Sequence, residues 1–365
     1  MPAFSNVLVK VLESSSIDKV VIVFFVKNKV EFKLNSKYSE KLRCLQIQYS
    51  SNFGLLLKAP FVILWLSYIA LKWKIKLIYG HGAIGAIGGI LALLTRKKFI
   101  QRIYGSFLID EIENSKFSIL LRHPLDYMSF VLPSHNTIIT NDGTHGDLVF
   151  KKLNQDFSRM KFMLNGVNKS EGISRTRSPK SKPLMTYIAR LDIWKRAHLF
   201  AEAAAILKKE YELEFEALII GPIVNESYAK EIQSIIESNG LTNQIKILGA
   251  VTASEAKQYM IDSTLTCSFY QTSNLGNVFL ESLTLGVPIL AINCNNSLGE
   301  VDSGAYEVCT DSPSDIAYRM NVILKDEAKR LIISENARKW SDLNLNSWNK
   351  RAEMELQVIQ KLLDD

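Results

Sequence analysis

Short runs of β-branched and aromatic residues alternate with longer stretches in which apolar positions recur every three to four residues. The short runs predict strands at residues 19–26, 30–34, 44–49, 74–79, 98–104 and 136–140, with helices at 5–14, 55–72 and 84–95 between them. A tract rich in Gly, Ser, Pro and charge then interrupts the pattern at 165–183, with Lys169, Arg175, Arg177, Lys180 and Lys182 inside it. After it the alternation restarts. Strands are predicted at 184–190, 215–220, 245–248, 265–269, 288–292 and 306–309, and helices at 195–211, 227–238, 253–262, 277–285 and 314–324. Short strands alternating with longer helices mean parallel sheets, so the expected class is α/β with two doubly wound domains. Trp348, Ala352, Leu356, Ile359 and Leu363 form one apolar stripe on a last amphipathic helix, which must pack on something and is expected to cross back to the first domain. The domains so read are 1–165, 183–342 and the terminal helix 343–365.

Composition narrows the classes further. At 365 residues, 47% hydrophobic and 22% charged, the chain can bury two cores and is neither disordered nor collagen-like. Its net charge of +7 favours an anionic partner: a phosphorylated small molecule, a membrane surface or nucleic acid. No basic stripe interleaved with aromatic residues supports nucleic acid, so none is expected. Cys44, Cys267, Cys294 and Cys309 have no C-x-x-C spacing, which suggests neither zinc nor a disulfide framework and fits a reducing cytoplasm. The first residues lack the basic start, apolar core and cleavage site of an export signal, giving a cytoplasmic expectation. The greasiest stretch, 59–71, is bounded by Lys58 and Lys72 and is shorter than the roughly 20 apolar residues that span a bilayer. It reads as a buried crossover helix, with a membrane-contacting helix as the alternative.

Three constellations could carry chemistry. Gly80, Gly82 and Gly85 spell G-x-G-x-x-G between a strand and a helix, the arrangement that seats a pyrophosphate on a helix amino terminus. A dinucleotide site needs an acid at the end of the next strand, which here ends in Tyr104 and Gly105. Close helix packing is the simpler reading, with an acceptor or phosphate pocket beside His81 as the other. Arg190 stands at the carboxyl end of the first strand of the second domain and Lys195 at the start of the following helix, so two cations meet a helix amino terminus, as a diphosphate requires. Glu281 lies one turn inside a helix that opens near Gly276 and Asn277. There it can accept from two ribose hydroxyls while free amides take phosphate oxygens.

Together these segments carry a resemblance. FMLNGVNK is similar to an N-G-V-D segment, IARLDIWKR to G-R-L-x-x-x-K, IKILGAVTASEAKQYM to F-L-G-x-x-x-x-x-E-L, and SNLGNVFLESLTLGVPILA to E-G-F-G-L-x-x-L-E-A-x-A-x-G-x-P-V-x-A. In that order they resemble the retaining glycosyltransferases of family 4, the group 1 transferases of bacterial surface-polysaccharide type. The resemblance covers residues 165–292. In the first domain only YGHG, the QRIYG strand and the TNDGTHGD loop match, loosely.

The resemblance implies a GT-B architecture: two Rossmann-like domains facing a central cleft, the first binding acceptor and the second a nucleotide-sugar. It implies transfer from a UDP- or GDP-type donor to a glycan or polyprenyl-linked acceptor, without cofactor or metal, at the cytoplasmic face and in peripheral contact with an anionic membrane. The chain holds no Asp-x-Asp, consistent with that expectation. By carry-over Arg190 and Lys195 bind the diphosphate and Glu281 the ribose. Ser273, Asn274, Leu275, Gly276 and Asn277 contact the donor, and Gly249, Ala250 and Val251 edge the base. His81, Tyr104 and Asp142 are the acceptor-side candidates. The chain departs from the pattern in two places. Ser273 replaces the first of two glutamates spaced eight apart, and the chain opens at a helix where members open with a strand, as if the first strand were missing. Both departures motivate an alternative, an inactive partner subunit that activates a second transferase.

Overall fold

A computed structural model describes residues 2–29, 36–154, 156–168 and 182–364. The strand expected at 30–34 and most of the 165–183 tract lie outside them. The chain divides into two compact units. The first is Met1–Asn141, His145–Gly166 and Trp348–Asp365, and the second is Asp142–Thr144 and Val167–Ser347.

The strands of the first unit are β1 (Val20–Val26), β2 (Leu42–Gln48), β3 (Leu77–His81), β4 (Lys98–Ile103), β5 (Asn136–Asn141) and β6 (Met160–Leu164). Its helices are α1 (Pro2–Glu13), α2 (Asn52–Lys72), α3 (Gly85–Thr95), α4 (Lys116–Arg122), α5 (Pro124–Val131) and α6 (Gly146–Leu153). β3, β4, β5 and β6 form a parallel sheet in that order, and β1 and β2 form a separate parallel pair. β3 starts three residues later than its sequence pattern predicts because α2 ends at Trp73 and Lys74 turns the chain at φ 52°.

In the second unit lie β7 (Leu184–Ile188), β8 (Glu216–Ile220), β9 (Ile245–Gly249), β10 (Leu265–Ser268), β11 (Ile289–Ile292) and β12 (Glu307–Cys309). Between and after them run α7 (Ala197–Tyr211), α8 (Glu226–Ser238), α9 (Ala253–Asp262), α10 (Asn277–Leu285), α11 (Pro313–Lys325) and α12 (Glu327–Asn344). All six strands are parallel, in the order β12-β11-β10-β7-β8-β9. β10 and β11 are buried at every position and β7 at all but its last, the continuous apolar signature of strands covered on both faces. The next chain-order strand is β8 on one side of β7, whereas β10 lies on the other. The order therefore reverses between β7 and β10, and the crevice beyond their carboxyl ends is where a doubly wound sheet binds ligands.

The last helix, α13 (Trp348–Asp364), returns to the first unit, as its stripe predicted. Ala352, Ile359 and Leu362 pack there with Val7, Ile100 and Ile138. Beside that core Glu355 is buried with Arg102 and Arg351. Its Oε1 lies 3.0 Å from Arg102 Nε and 2.7 Å from Arg351 Nη1, and its Oε2 accepts from the Tyr79 hydroxyl at 2.5 Å.

The G-x-G-x-x-G segment is a packing device. A Cβ on Gly80 would lie 2.7 Å from the Gly85 carbonyl oxygen, and one on Gly85 would lie 2.6 Å from Gln101 Oε1. The glycines thus let α3 sit directly on β3 and β4.

Candidate functional site in the second unit

The loops after β7 and β10 are tied together by both backbone and rings. The Tyr270 hydroxyl donates to the Ile188 carbonyl at 2.9 Å, Gln271 N–H to the Trp194 carbonyl at 3.0 Å, and the Tyr187 hydroxyl to the Lys195 carbonyl. Arg190 lies two residues past the end of β7, outside the strand, because Ala189 and Leu191 turn to bond Ile220 and Pro222. Gly221 makes that approach feasible, since at φ 146° a Cβ would lie 1.9 Å from the Ala189 carbonyl oxygen. Lys195 ends a 3-10 turn, Ile193–Lys195, and α7 begins only at Ala197 after Arg196 adopts φ 53°. The sequence reading placed Lys195 inside the helix start; the left-handed Arg196 separates them.

The cation sits in an aromatic box. Lys195 Nζ is 3.3 Å from the centroid of the Tyr270 ring and 3.8 Å from that of Trp194, and the Arg190 guanidinium is 5.8 Å from the Trp194 centroid. Burial pulls the Lys195 ammonium down to about 7, the Arg190 charge adds to the fall, and Asp142 and Asp192 oppose it. Two cations held against two aromatic faces are suited to a polyanion.

α10 opens the other wall. Gly276 is its N-cap, no side chain caps it, and a Cβ on Gly276 would meet nothing within 4 Å, so a ligand has room beside the helix start. Glu281 projects from the second turn, and burial raises its carboxyl above the ordinary value while Lys257 works the other way. Gly249, at φ 71° with open space around it, begins the exposed loop of Ala250 and Val251 that leads to α9.

Three residues expected to contact the donor, Ser273, Asn274 and Leu275, have buried side chains. Asn274 was expected to contact a donor, but it is fully buried. Its Oδ1 accepts from Ser268 Oγ at 2.7 Å and Tyr270 N–H at 2.9 Å, and its Nδ2 donates to the carbonyls of Tyr270 at 3.1 Å and Ile292 at 2.7 Å. Its side chain fixes the loop. Leu275 is likewise buried, and Ser273 turns inward to donate to the Asp142 carbonyl and accept from Leu275 N–H at 3.2 Å.

Of the acceptor-side candidates, the first unit brings two together. His81 Nδ1 lies 2.7 Å from the Tyr104 hydroxyl, with the rings stacked at 5.9 Å. Burial lowers His81 to about 4 and raises Tyr104 to about 12, so both are neutral near pH 7. Asp142 groups with the second unit, where its carboxylate closes a turn onto Thr144 N–H at 3.1 Å and helps keep Lys195 charged. Trp194 was legible beside Lys195 as an aromatic next to a cation, whereas nothing in the sequence marks Tyr270 as its second wall.

Residues 168–340 match the family described as Glycosyl transferases group 1. This span is a group 1 glycosyl transferase domain. It covers nearly all of the second unit, including the Lys195 box and α10. A Campylobacter jejuni protein, the N-acetylgalactosaminyltransferase named for GalNAc-α-(1→4)-GalNAc-α-(1→3)-diNAcBac-PP-undecaprenol, is 26% identical over 183 residues. That match spans 49% of this chain and 49% of the relative, so the chain covers about half the length of the curated relative it matches. Among solved structures, Anabaena HepE in complex with UDP and glucose superposes with a TM-score of 0.72 at 17% identity, over 99% of this chain and 97% of its own. WaaG, a glycosyltransferase involved in lipopolysaccharide biosynthesis, gives 0.72 at 15% identity, over 98% and 95%. The fold around the glycosyl transferase domain is thus GT-B.

Proposed function

We propose that the protein is a retaining glycosyltransferase that moves a sugar from a nucleoside diphosphate of UDP or GDP type to a lipid-linked or saccharide acceptor in surface-glycan synthesis, without a metal. The Lys195 box carries this reading: a desolvated ammonium with Arg190 beside it, next to the uncapped amino terminus of α10, is suited to a departing diphosphate. In the reaction the bond from the anomeric carbon to the β-phosphate oxygen breaks. The acceptor oxygen bonds to the same carbon on the same face, and its proton leaves with the nucleoside diphosphate or to solvent. Lys195, Arg190 and the α10 amides stabilise the charge that appears on the leaving oxygen. Glu281 orients the nucleoside through its ribose hydroxyls, and the 249–251 loop borders the base. UDP in the HepE structure supports a uridine donor, and the C. jejuni relative, named for an undecaprenol-diphosphate glycan, supports a polyprenyl acceptor.

Thermal shift with UDP, GDP, ADP and CMP, with and without magnesium, tests the donor site, because a ligand of the folded state raises the melting temperature by mass action. Stabilisation by one diphosphate without metal, absent in Lys195→Met, is the expected result. Transfer from the matching labelled nucleotide-sugar to a polyprenyl-diphosphate glycan completes the assay. Ser273, in place of a family glutamate, favours a second reading as an inactive partner subunit. Nucleotide binding without any transfer would select it, and silence to every nucleotide would remove the donor site altogether.

A further inference from the structure

We propose that the exposed face of α12 is a self-association surface, on which a second copy of this chain docks its own α12 antiparallel across a two-fold axis. α12 is anchored to the second unit along one side. Ile333, Ala337 and Ser341 are buried there, Ser341 Oγ lies 2.9 Å from Thr284 Oγ1, Asn336 Nδ2 donates to the Gly304 carbonyl at 3.2 Å and Arg338 Nη2 to that of Leu285 at 3.1 Å. At about 100° per residue the opposite side carries Leu331, Glu335, Lys339 and Leu343, spaced one helical turn apart. All are exposed, Leu331 at 64% and Leu343 at 77%. Ile332, 60% exposed, widens the apolar end at Leu331.

The order of residues along this ridge identifies the occupant. From either end it runs apolar, charged, charged, apolar. Turning a second α12 end for end about the level of residue 337 sets Leu331 against Leu343 and Glu335 against Lys339, each pairing occurring twice, as a contact across a two-fold axis requires. A parallel copy in register would instead set each charge against its like. Rows of residues four apart are the ridges that interdigitate where two helices cross, at interaxial distances of about 8–10 Å. The two charges are available for this contact. Among the described residues neither Glu335 nor Lys339 forms an ion pair, although they stand one turn apart, whereas Lys329 is held by Glu307 at 2.7 Å and Arg330 by the carbonyls of Ile323 and Leu324 at 2.8 Å.

A ridge with one charge of each sign offers no net attraction to a strongly charged partner, but it is complementary to its own reverse. Paired leucines at the two ends and paired opposite charges between them make a small contact, below the roughly 1,000 Å² that marks a stable interface, so the dimer is weak and reversible, with a dissociation constant on the order of 100 µM. The ridge includes no residue of the Lys195 box or of the α10 amino terminus, so the inference stands apart from the transfer proposed above.

Sedimentation equilibrium of the full chain from about 5 to about 500 µM tests it. A monomer–dimer equilibrium is expected, weakened about tenfold or more by the pair Leu331→Ser/Leu343→Ser with the melting temperature unchanged, since both side chains are exposed. Glu335→Lys alone sets like charges opposite one another, and so does Lys339→Glu alone, so each single variant should sediment as a monomer. An equimolar mixture of the two should associate, because every charge pair across the mixed contact is again opposite in sign, and the double exchange Glu335→Lys/Lys339→Glu should dimerise like the parent. A monomer at every concentration, a dimer indifferent to the serine pair or to the single charge changes, or single variants that stay apart when mixed would each overturn the proposal.

Discussion

Replacing Lys195 by Met makes the cost of its burial measurable. Burial and Arg190 move this ammonium from an ordinary 10.5 to about 7. At about 1.4 kcal/mol per tenfold, that displacement is an upper figure of about 5 kcal/mol. The side chain is only half-buried, and screening by water reduces the cost to about 2–3 kcal/mol. The two ring contacts return part of it, each worth about 0.5–1 kcal/mol near a surface. The pKa is lower in the native state than in the unfolded chain, so below pH 7 both states hold the proton and the native state bears the whole cost. Between pH 7 and 10.5 the unfolded chain holds the proton and the native state sheds it, so native stability rises with pH through that window. Lys195→Met, which never bears the cost, should be more stable than the parent by about 1–2 kcal/mol at pH 6, roughly 3–6 °C in melting temperature for a unit of this size. The gap should close by about pH 10. Calorimetric scans of both proteins from pH 6 to 10 without nucleotide measure it. A variant that melts lower at pH 6, or a gap that does not change with pH, would refute the desolvated-ammonium reasoning. The same variant should lose the nucleoside diphosphate shift at every pH.

Four further outcomes follow from other contacts. Glu281→Gln should raise stability near neutral pH, because burial disfavours the charged carboxylate, while weakening UDP affinity about tenfold by calorimetry. Asn274→Ala removes four hydrogen bonds from a buried loop and should cost about 2–4 kcal/mol in urea unfolding, with nucleotide binding lost as the β10 loop relaxes. Ser273→Glu, which restores the family carboxylate, should destabilise by roughly 2–4 kcal/mol, because the serine is buried against Gly143 and Asp142; a gain of activity at unchanged melting temperature would contradict that packing. Glu355→Gln should cost about 3–5 kcal/mol in the first unit, since Arg102 and Arg351 lose their shared carboxylate, and hydrogen exchange across β3 and β4 would report it.

The second unit was legible because its strands are covered on both faces and read as unbroken apolar runs, each answered by a helix. α12 escaped notice. Its buried residues, Ile333, Ala337 and Ser341, form a stripe one residue wide on a charged helix, below what periodicity detects. β6 was missed because Lys161 leaves Met160–Leu164 only three consecutive apolar residues, and α4 and α6 because seven- and eight-residue helices offer too few turns. Within the site, Arg190 and Lys195 could be picked out because each charge stands beside the end of a strand or helix, and Glu281 because it lies one turn inside α10. The burial of Asn274 was not legible, because an amide in a loop beside a helix start looks the same in sequence whether it faces solvent or latches the backbone. The Tyr270 wall and the Arg102–Glu355 pair join residues far apart in the chain, and local pattern carries no trace of such pairings.

The return of α13 to the first unit sets an order of events during synthesis. When residue 166 leaves the ribosome, every strand of the first sheet has been made, yet Arg102 has no carboxylate and the face carrying Ile100 and Ile138 has no cover from Ala352 and Ile359. The second unit holds its own core and can close while the first still waits. The first unit is therefore completed after the second. A nonsense codon or a tag that disturbs residues 348–364 should damage the amino-terminal unit, and a ribosome stalled just short of the end would display a folded rear and an open, basic front to the chaperones.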